Sequence, residues 1–208
     1  MLAPSDLSPR AVRTRSALIA AGFDLLAERP IDAIPIDDVV ARAGVAKGSF
    51  FNHFVDKPAF AAAIAAEVRL DLEDQVTRAN TGVTNPIERI ANGMRIAAEF
   101  AIQDPKRAAV LVRGAASATA RSHPLNKGLA EDFDEAVRLG LVSQEARGSG
   151  VLYWLGLCQV LMASLLDTPE ARPQTRLRIR EMMTLGLTGL GVERDLGAWL
   201  ADRCCLTL

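Results

Sequence analysis

Histidine is almost missing from this chain of 208 residues: His53 and His123 are the two it has. Acid–base catalysis by histidine therefore has little material. Glu-x-x-His, the pairing that helical di-metal carboxylate sites require, occurs nowhere. Cysteine is scarce too. Cys158, Cys204 and Cys205 make neither a disulfide framework nor a metal-ligand spacing, and Cys158, in an apolar segment, reads as an inert buried thiol. Aromatic residues are 5% of the chain, and no stretch alternates with the period of a strand. Without strands there is no Gly-rich phosphate loop following one. No apolar run approaches the length of a membrane span, and the opening MLAPSDLSPR lacks the apolar core of a signal peptide. These absences argue against an enzyme. No catalytic residue, metal, cofactor or membrane partner is expected, and a reducing cytoplasm is the expected compartment.

What is present is helix-forming. Half the residues are hydrophobic and 24% charged, with Ala and Leu abundant, so a substantial core is available and global disorder is excluded. Helix starts are announced one after another by a capping residue followed by proline: Ser8-Pro9, Asn85-Pro86, Asp104-Pro105 and His123-Pro124. The first helix runs to about Glu28, with Val12, Ile19, Phe23 and Leu26 on one side, and Pro30 stops it. Asp56 caps a long helix of about Lys57 to Ala79, and NTGVTNP (80–86) breaks the chain. Further helices follow from Pro86, from Pro105 to about Ala116, and from Pro124 to Gly140. The last are about Val151 to Leu166, Pro173 to Leu190 and Glu193 to Cys204. Val151–Leu166 is apolar nearly all round and is expected to be buried on most sides. The fold class is all-α.

Residues Ile36 to Lys57 organise the rest. Ile36, Val39, Val40 and Ala43 form one apolar helical face. Gly44 can take the positive φ that ends a helix and swings the chain round. A second short helix, about Ala46 to Phe51, turns Val45, Phe50 and Phe54 inward and leaves Lys47, Gly48, Ser49, Asn52 and His53 outward. Such a face is slim and rich in hydrogen-bonding groups, as a helix entering a DNA major groove must be. The stretch reads as a helix-turn-helix over about 35–54. Charge gives no help: up to Lys57, seven cations meet seven anions, and the whole chain carries −1. Placement carries the reading instead, with Lys47 and Lys57 flanking the second helix and Arg10, Arg13 and Arg15 opening the first.

From about Arg13 to Phe60 the sequence resembles the DNA-binding domain of the tetracycline-repressor (TetR) family of transcriptional regulators. The matching residues are Ala20-Ala21-Gly22-Phe23-Asp24-Leu25-Leu26, Asp38-Val39-Val40-Ala41-Arg42-Ala43-Gly44-Val45, Lys47-Gly48-Ser49-Phe50-Phe51, His53-Phe54 and Lys57. The resemblance implies a three-helix DNA-binding domain over 9–69 and a larger helical ligand-binding and dimerisation domain over 70–208. It implies that Lys47 and Gly48 sit against base edges and that Ser49, Asn52, His53 and Lys57 reach phosphates, with Ala46 and Phe51 completing the DNA-facing set. Three positions depart from the family: Phe51 where Tyr is usual, Ile34 where Thr is common, and Asp37 where a basic residue is common. Each departure weakens the expected grip on phosphate.

The expected function is a ligand-responsive regulator, a repressor that binds a palindromic double-stranded operator as a homodimer and is released by a small organic effector. The alternative is a helix-turn-helix factor that binds DNA or a protein partner with no small-molecule input. The dimer seam is expected on the last two long helices, where Met183, Leu187 and Leu190 recur. Phe100, Arg113, Phe133, Tyr153 and Trp154 are the candidate effector liners, since aromatic walls with few polar groups suit small organic ligands. At helical spacing the same residues equally make plain core.

Overall fold

The computed structural model describes residues 8–114, 121–167 and 172–205, and every regular element among them is helical. In chain order these are α1 (Pro9–Glu28), α2 (Ile36–Ala43), α3 (Lys47–His53), α4 (Lys57–Ala79), α5 (Pro86–Gln103), α6 (Pro105–Gly114), α7 (Lys127–Arg138), α8 (Ala146–Asp167), α9 (Arg172–Gly189) and α10 (Arg194–Cys205). The capping signals act as their chemistry dictates. Ser8 Oγ accepts from the Ala11 amide at 3.3 Å, Asp56 Oδ1 from Ala59 at 2.7 Å, and Asn85 Oδ1 from Ile87 at 2.9 Å. Gly44 ends α2 with φ at 67° in the left-handed region, which a side chain would disfavour. His123 caps a single 3₁₀ turn, Pro124–Asn126, and α7 begins after it. A second 3₁₀ turn, Ile31–Ala33, lies between the two prolines where sequence showed only a break. Ala116, the expected end of α6, lies outside the described residues.

The described residues fall into two compact units, 8–69 with 109–114, and 70–108 with 121–205 less its undescribed positions. In the first unit the core is built from Leu18, Leu25, Leu26, Ile34, Val39, Phe50, Phe54, Phe60 and Ile64, all buried. Three rings meet inside it: Phe50 to Phe60 at 5.1 Å, Phe54 to Phe60 at 4.8 Å and Phe50 to Phe54 at 5.7 Å between centroids. The cluster joins α3 and the residue that ends it to α4. Edge-on contacts of this kind add about 0.5–1.5 kcal/mol per pair beyond the area removed from water. Gly22 is where α1 presses on α4: a Cβ built there would stand 2.6 Å from Ile64 Cδ1 and closer still to the tip of Phe60. Val12, expected on the inner face of α1, is 45% exposed, so the buried stripe begins only at Leu18.

In the second unit α5 is central, packing on α7, α8, α9 and α10. Ile87, Ile90, Ala91, Met94, Ala97, Ala98 and Phe100 are buried along it. Arg89 clamps α5 to α7 through Asp132 at 2.6 Å and through Glu135, and also donates to the carbonyls of Val83 and Thr84. Helix α8 differs from expectation. Trp154, Cys158 and Leu161 are buried, but Leu152 and Val160 are about three-fifths exposed at 60% and 62%. A helix apolar all round cannot bury its whole circumference against the neighbours one chain supplies. By length and composition α8 is long and apolar enough to cross a membrane, which corrects the expectation that no apolar run approaches that length; Trp154, Cys158 and Leu161 on it are buried as core.

Gly22→Ala is expected to destabilise the first unit by about 1–3 kcal/mol, the cost of overpacking a sealed contact, visible as an early thermal transition. Gly48→Ala, where an added Cβ meets nothing within 4 Å, is expected to leave melting unchanged or slightly raised. Equal melting shifts in the two variants would contradict this account.

Candidate nucleic-acid interface

The face of α3 opposite the phenylalanine cluster is open. Ala46, Lys47, Gly48, Phe51 and Asn52 are exposed, and Ser49 and His53 are half-buried beside them. Phe50 and Phe51, adjacent in sequence, differ in burial, one fully buried and the other 55% exposed with its ring edge-on to that of Phe50 at 5.4 Å between centroids. The backbone at Gly48 is unobstructed on its Cβ side. A surface with one ammonium group, small hydrogen-bonding side chains and a bare stretch of backbone is able to donate to base edges and to phosphates.

Lys57 is placed differently from the others. Its ammonium group donates to the carbonyls of Asp32, at 3.1 Å, and Ile34, at 2.9 Å. Two of its three donors thus hold the segment that leads into α2. That segment has no side-chain cap of its own, since α2 starts after Pro35. Ile34 itself is buried, so the residue standing where threonine is common serves the core.

The balanced charge resolves into pairs. Lys47 Nζ lies 2.9 Å from Asp37 Oδ1, Arg29 reaches Asp38 at 2.6 Å, Arg42 reaches Asp24 at 3.1 Å and Arg15 reaches Glu67 at 3.4 Å. Arg15 also lies 5.5 Å over the ring of Phe54, closing the aromatic cluster from outside. Each pair is substantially solvated, and exposed pairs of this kind are worth about 0–1 kcal/mol. They organise the surface more than they stabilise it. Sequence alone exposed the acids but not their partners, which lie across turns and on other helices.

The candidate effector liners do not converge on one place. Phe133 and Trp154 are each buried beside α8: Phe133 packs against Gly150, and Trp154, one turn on, donates from Nε1 to the Ile90 carbonyl of α5 at 3.0 Å. Phe100 is buried on α5 ten residues beyond Ile90, with the Arg107 guanidinium 5.5 Å over its ring. Tyr153 is 38% exposed and sets its hydroxyl against Gly189 of α9. Arg113 belongs to the first unit, where it donates to the Leu26 carbonyl at 2.9 Å and to that of Ala27, satisfying carbonyls in the last turn of α1. As for nucleophiles, burial pushes the Cys204 thiol up to about 11, which keeps it protonated at neutral pH. Among the described residues no group of His, Cys, Asp and Glu is arranged to hold a metal.

Residues 18–64 match the family profile described as bacterial regulatory proteins, tetR family. The HTH-type transcriptional repressor DhaR of Mycobacterium sp. (strain GP1) is 32% identical over 79 residues, a match spanning 38% of this chain and 40% of that repressor's length. Among solved structures, RolR in complex with resorcinol superposes with a TM-score of 0.65 at 18% identity, covering 93% of this chain and 95% of RolR. A tetR-family transcription regulator from Shewanella sp. PV-4 superposes with a TM-score of 0.72 at 16% identity, covering 85% and 97%. At these identities the superpositions establish the fold of both units, while the profile match covers the helix-turn-helix and its flanking helices. Over residues 18–64 the chain is similar to the helix-turn-helix region of the tetR family of bacterial regulatory proteins.

Proposed function

We propose that the protein is a ligand-responsive transcriptional repressor that acts in the cytoplasm, binds a palindromic operator as a homodimer and releases it on taking up a small organic molecule. The observation that carries this reading is the open face of α3, where Lys47, Gly48, Phe51 and Asn52 are exposed and Ser49 and His53 half-buried on the outside of a sealed phenylalanine core. The match over 79 residues to a Mycobacterium transcriptional repressor supports it. Two-fold symmetry then requires the two copies of α3 to enter successive major grooves about 34 Å apart.

A second copy fits the apolar faces left open on α8 and α9. Leu152, Gly156 and Val160 lie one above another at i, i+4 and i+8 on α8, and Leu177 and Leu185 are exposed on α9, the helix packed beside it. An added Cβ at Gly156 meets nothing within 4 Å, so the backbone there is open to close approach. The effector is assigned to the aromatic interior of the second unit, where Phe133 lies against Gly150 of α8 and Trp154 bonds to the Ile90 carbonyl of α5. RolR, which shares the fold, is described with resorcinol bound, and a small aromatic or comparably flat organic molecule suits such walls. To act, it must bind one conformation of the protein better than another, since equal affinity for both shifts nothing. The alternative of a constitutive DNA-binding factor is separated by a mobility-shift titration across small aromatic compounds. Release of DNA supports the regulator, and complete indifference supports the constitutive factor.

Three outcomes test the DNA-binding and dimer readings. Lys47→Ala is expected to weaken operator binding and to shallow the dependence of log affinity on log salt by about one unit; unchanged affinity would place the reading face elsewhere. Phe51→Tyr, which supplies a hydroxyl at an exposed position, is expected to tighten operator binding by about 1 kcal/mol, or roughly fivefold. The paired change Val160→Lys with Leu185→Glu is expected to yield a folded monomer by sedimentation and to reduce operator affinity by about 10²-fold or more through lost bivalency. A wild-type chain that sediments as a monomer at micromolar concentration would contradict the dimer.

A further inference from the structure

Asp37 stands in the first turn of α2, ten residues before Lys47 in sequence and directly against it in space. Its Oδ1 lies 2.9 Å and its Oδ2 3.1 Å from Lys47 Nζ, so the carboxylate sits astride the ammonium. Both side chains remain largely open, at 60% for Lys47 and 68% for Asp37. An acid at a helix start offsets the macrodipole, but Asp38 is there as well, tied to Arg29 beyond the end of α1. The helix start therefore does not need Asp37 in the place it occupies. The ammonium that leads α3 thus has a carboxylate beside it, on the same exposed face, before any DNA arrives.

Resting on the DNA-binding reading above, we propose that Asp37 is a specificity-determining residue and that Asp37 and Lys47 act together as one donor–acceptor reader of a G·C pair. Two effects follow from the geometry. A phosphate approaching Lys47 meets the charge of Asp37, so backbone contacts of arbitrary sequence gain little. A G·C pair in the major groove instead offers acceptors, guanine O6 and N7, beside a donor, the cytosine N4 amino group. A lysine donor and a carboxylate acceptor held 2.9 Å apart complement that edge, and neither has to abandon the other to use it. Non-specific attraction is suppressed while the cognate contact is kept. The near-zero charge of the N-terminal region, unusual beside the demands of phosphate binding, is in this reading part of the selectivity.

The test compares wild type, Asp37→Asn, Lys47→Ala and the double variant on two duplexes across a salt series. One is the operator recovered by selection from random DNA; the other is an unrelated duplex of equal length. Asp37→Asn is expected to bind the unrelated duplex about three- to tenfold more tightly, with a salt slope steeper by about one unit. The ratio of operator to unrelated affinity falls accordingly, and repeating the selection with this variant relaxes a G·C position seen with wild type. In the Lys47→Ala background the same change leaves the ratio within about twofold, since the acid acts through the lysine. Asp37→Glu, which keeps a carboxylate, recovers part of the ratio. An unchanged ratio in Asp37→Asn, with or without a lowered melting temperature, overturns the proposal and returns Asp37 to a helix-start residue. So does an effect of equal size when Lys47 is absent. Failure of wild type to bind any duplex is a different result: it overturns the DNA-binding reading itself.

Discussion

The contact of three phenylalanine rings, Phe50, Phe54 and Phe60, is the constraint on which the exposed face of α3 depends. A helix of seven residues has too few internal hydrogen bonds to be stable alone, because nucleation uses most of what propagation would return. Helix α3 persists because Phe50, fully buried, fixes its rotation, and Phe54, just past its end, fixes its exit. Once those two rings are inside, the outward direction of Lys47, Phe51 and Asn52 follows from helical geometry. Gly22 belongs to the same constraint. Its missing side chain lets α1 close onto Phe60 and Ile64, which seals the cluster from the far side.

The polar half of the first unit is arranged around that core by directed contacts of little individual stability. Lys57 holds the approach to α2 by two carbonyls, Arg113 satisfies carbonyls at the end of α1, and three ion pairs cover the helix-turn-helix. Weak, solvated pairs of this kind set the directions of side chains while adding little to stability. Net charge therefore says little about whether this surface meets a polyanion. The positions of the charges, and what each touches, say more.

In the second unit the same sequence property has two structural meanings. The apolar inner side of α8 is ordinary core, with Trp154 hydrogen-bonded to α5 and Phe133 seated on Gly150. The apolar outer side, carrying Leu152 and Val160, is exposed among the described residues and is the face on which a second copy is proposed to sit. Composition could not separate the two, because every face of α8 is apolar.

Much was legible from residues alone. Caps and prolines placed most of the helices to within a few positions, since Ser8, Asp56 and Asn85 satisfy the first amides through contacts local in sequence. Gly44 marked the turn because only the left-handed region closes it. The inward Phe50 and Phe54 and the outward Lys47 followed from periodicity. Tertiary structure alone decided the rest, for one physical reason: partners distant in the chain are chosen by packing, which a periodic pattern does not encode. Only coordinates could show that Asp37 meets Lys47, that Lys57 turns to the carbonyls of Asp32 and Ile34, that Arg113 serves α1, and that Gly22 is small because Phe60 is near.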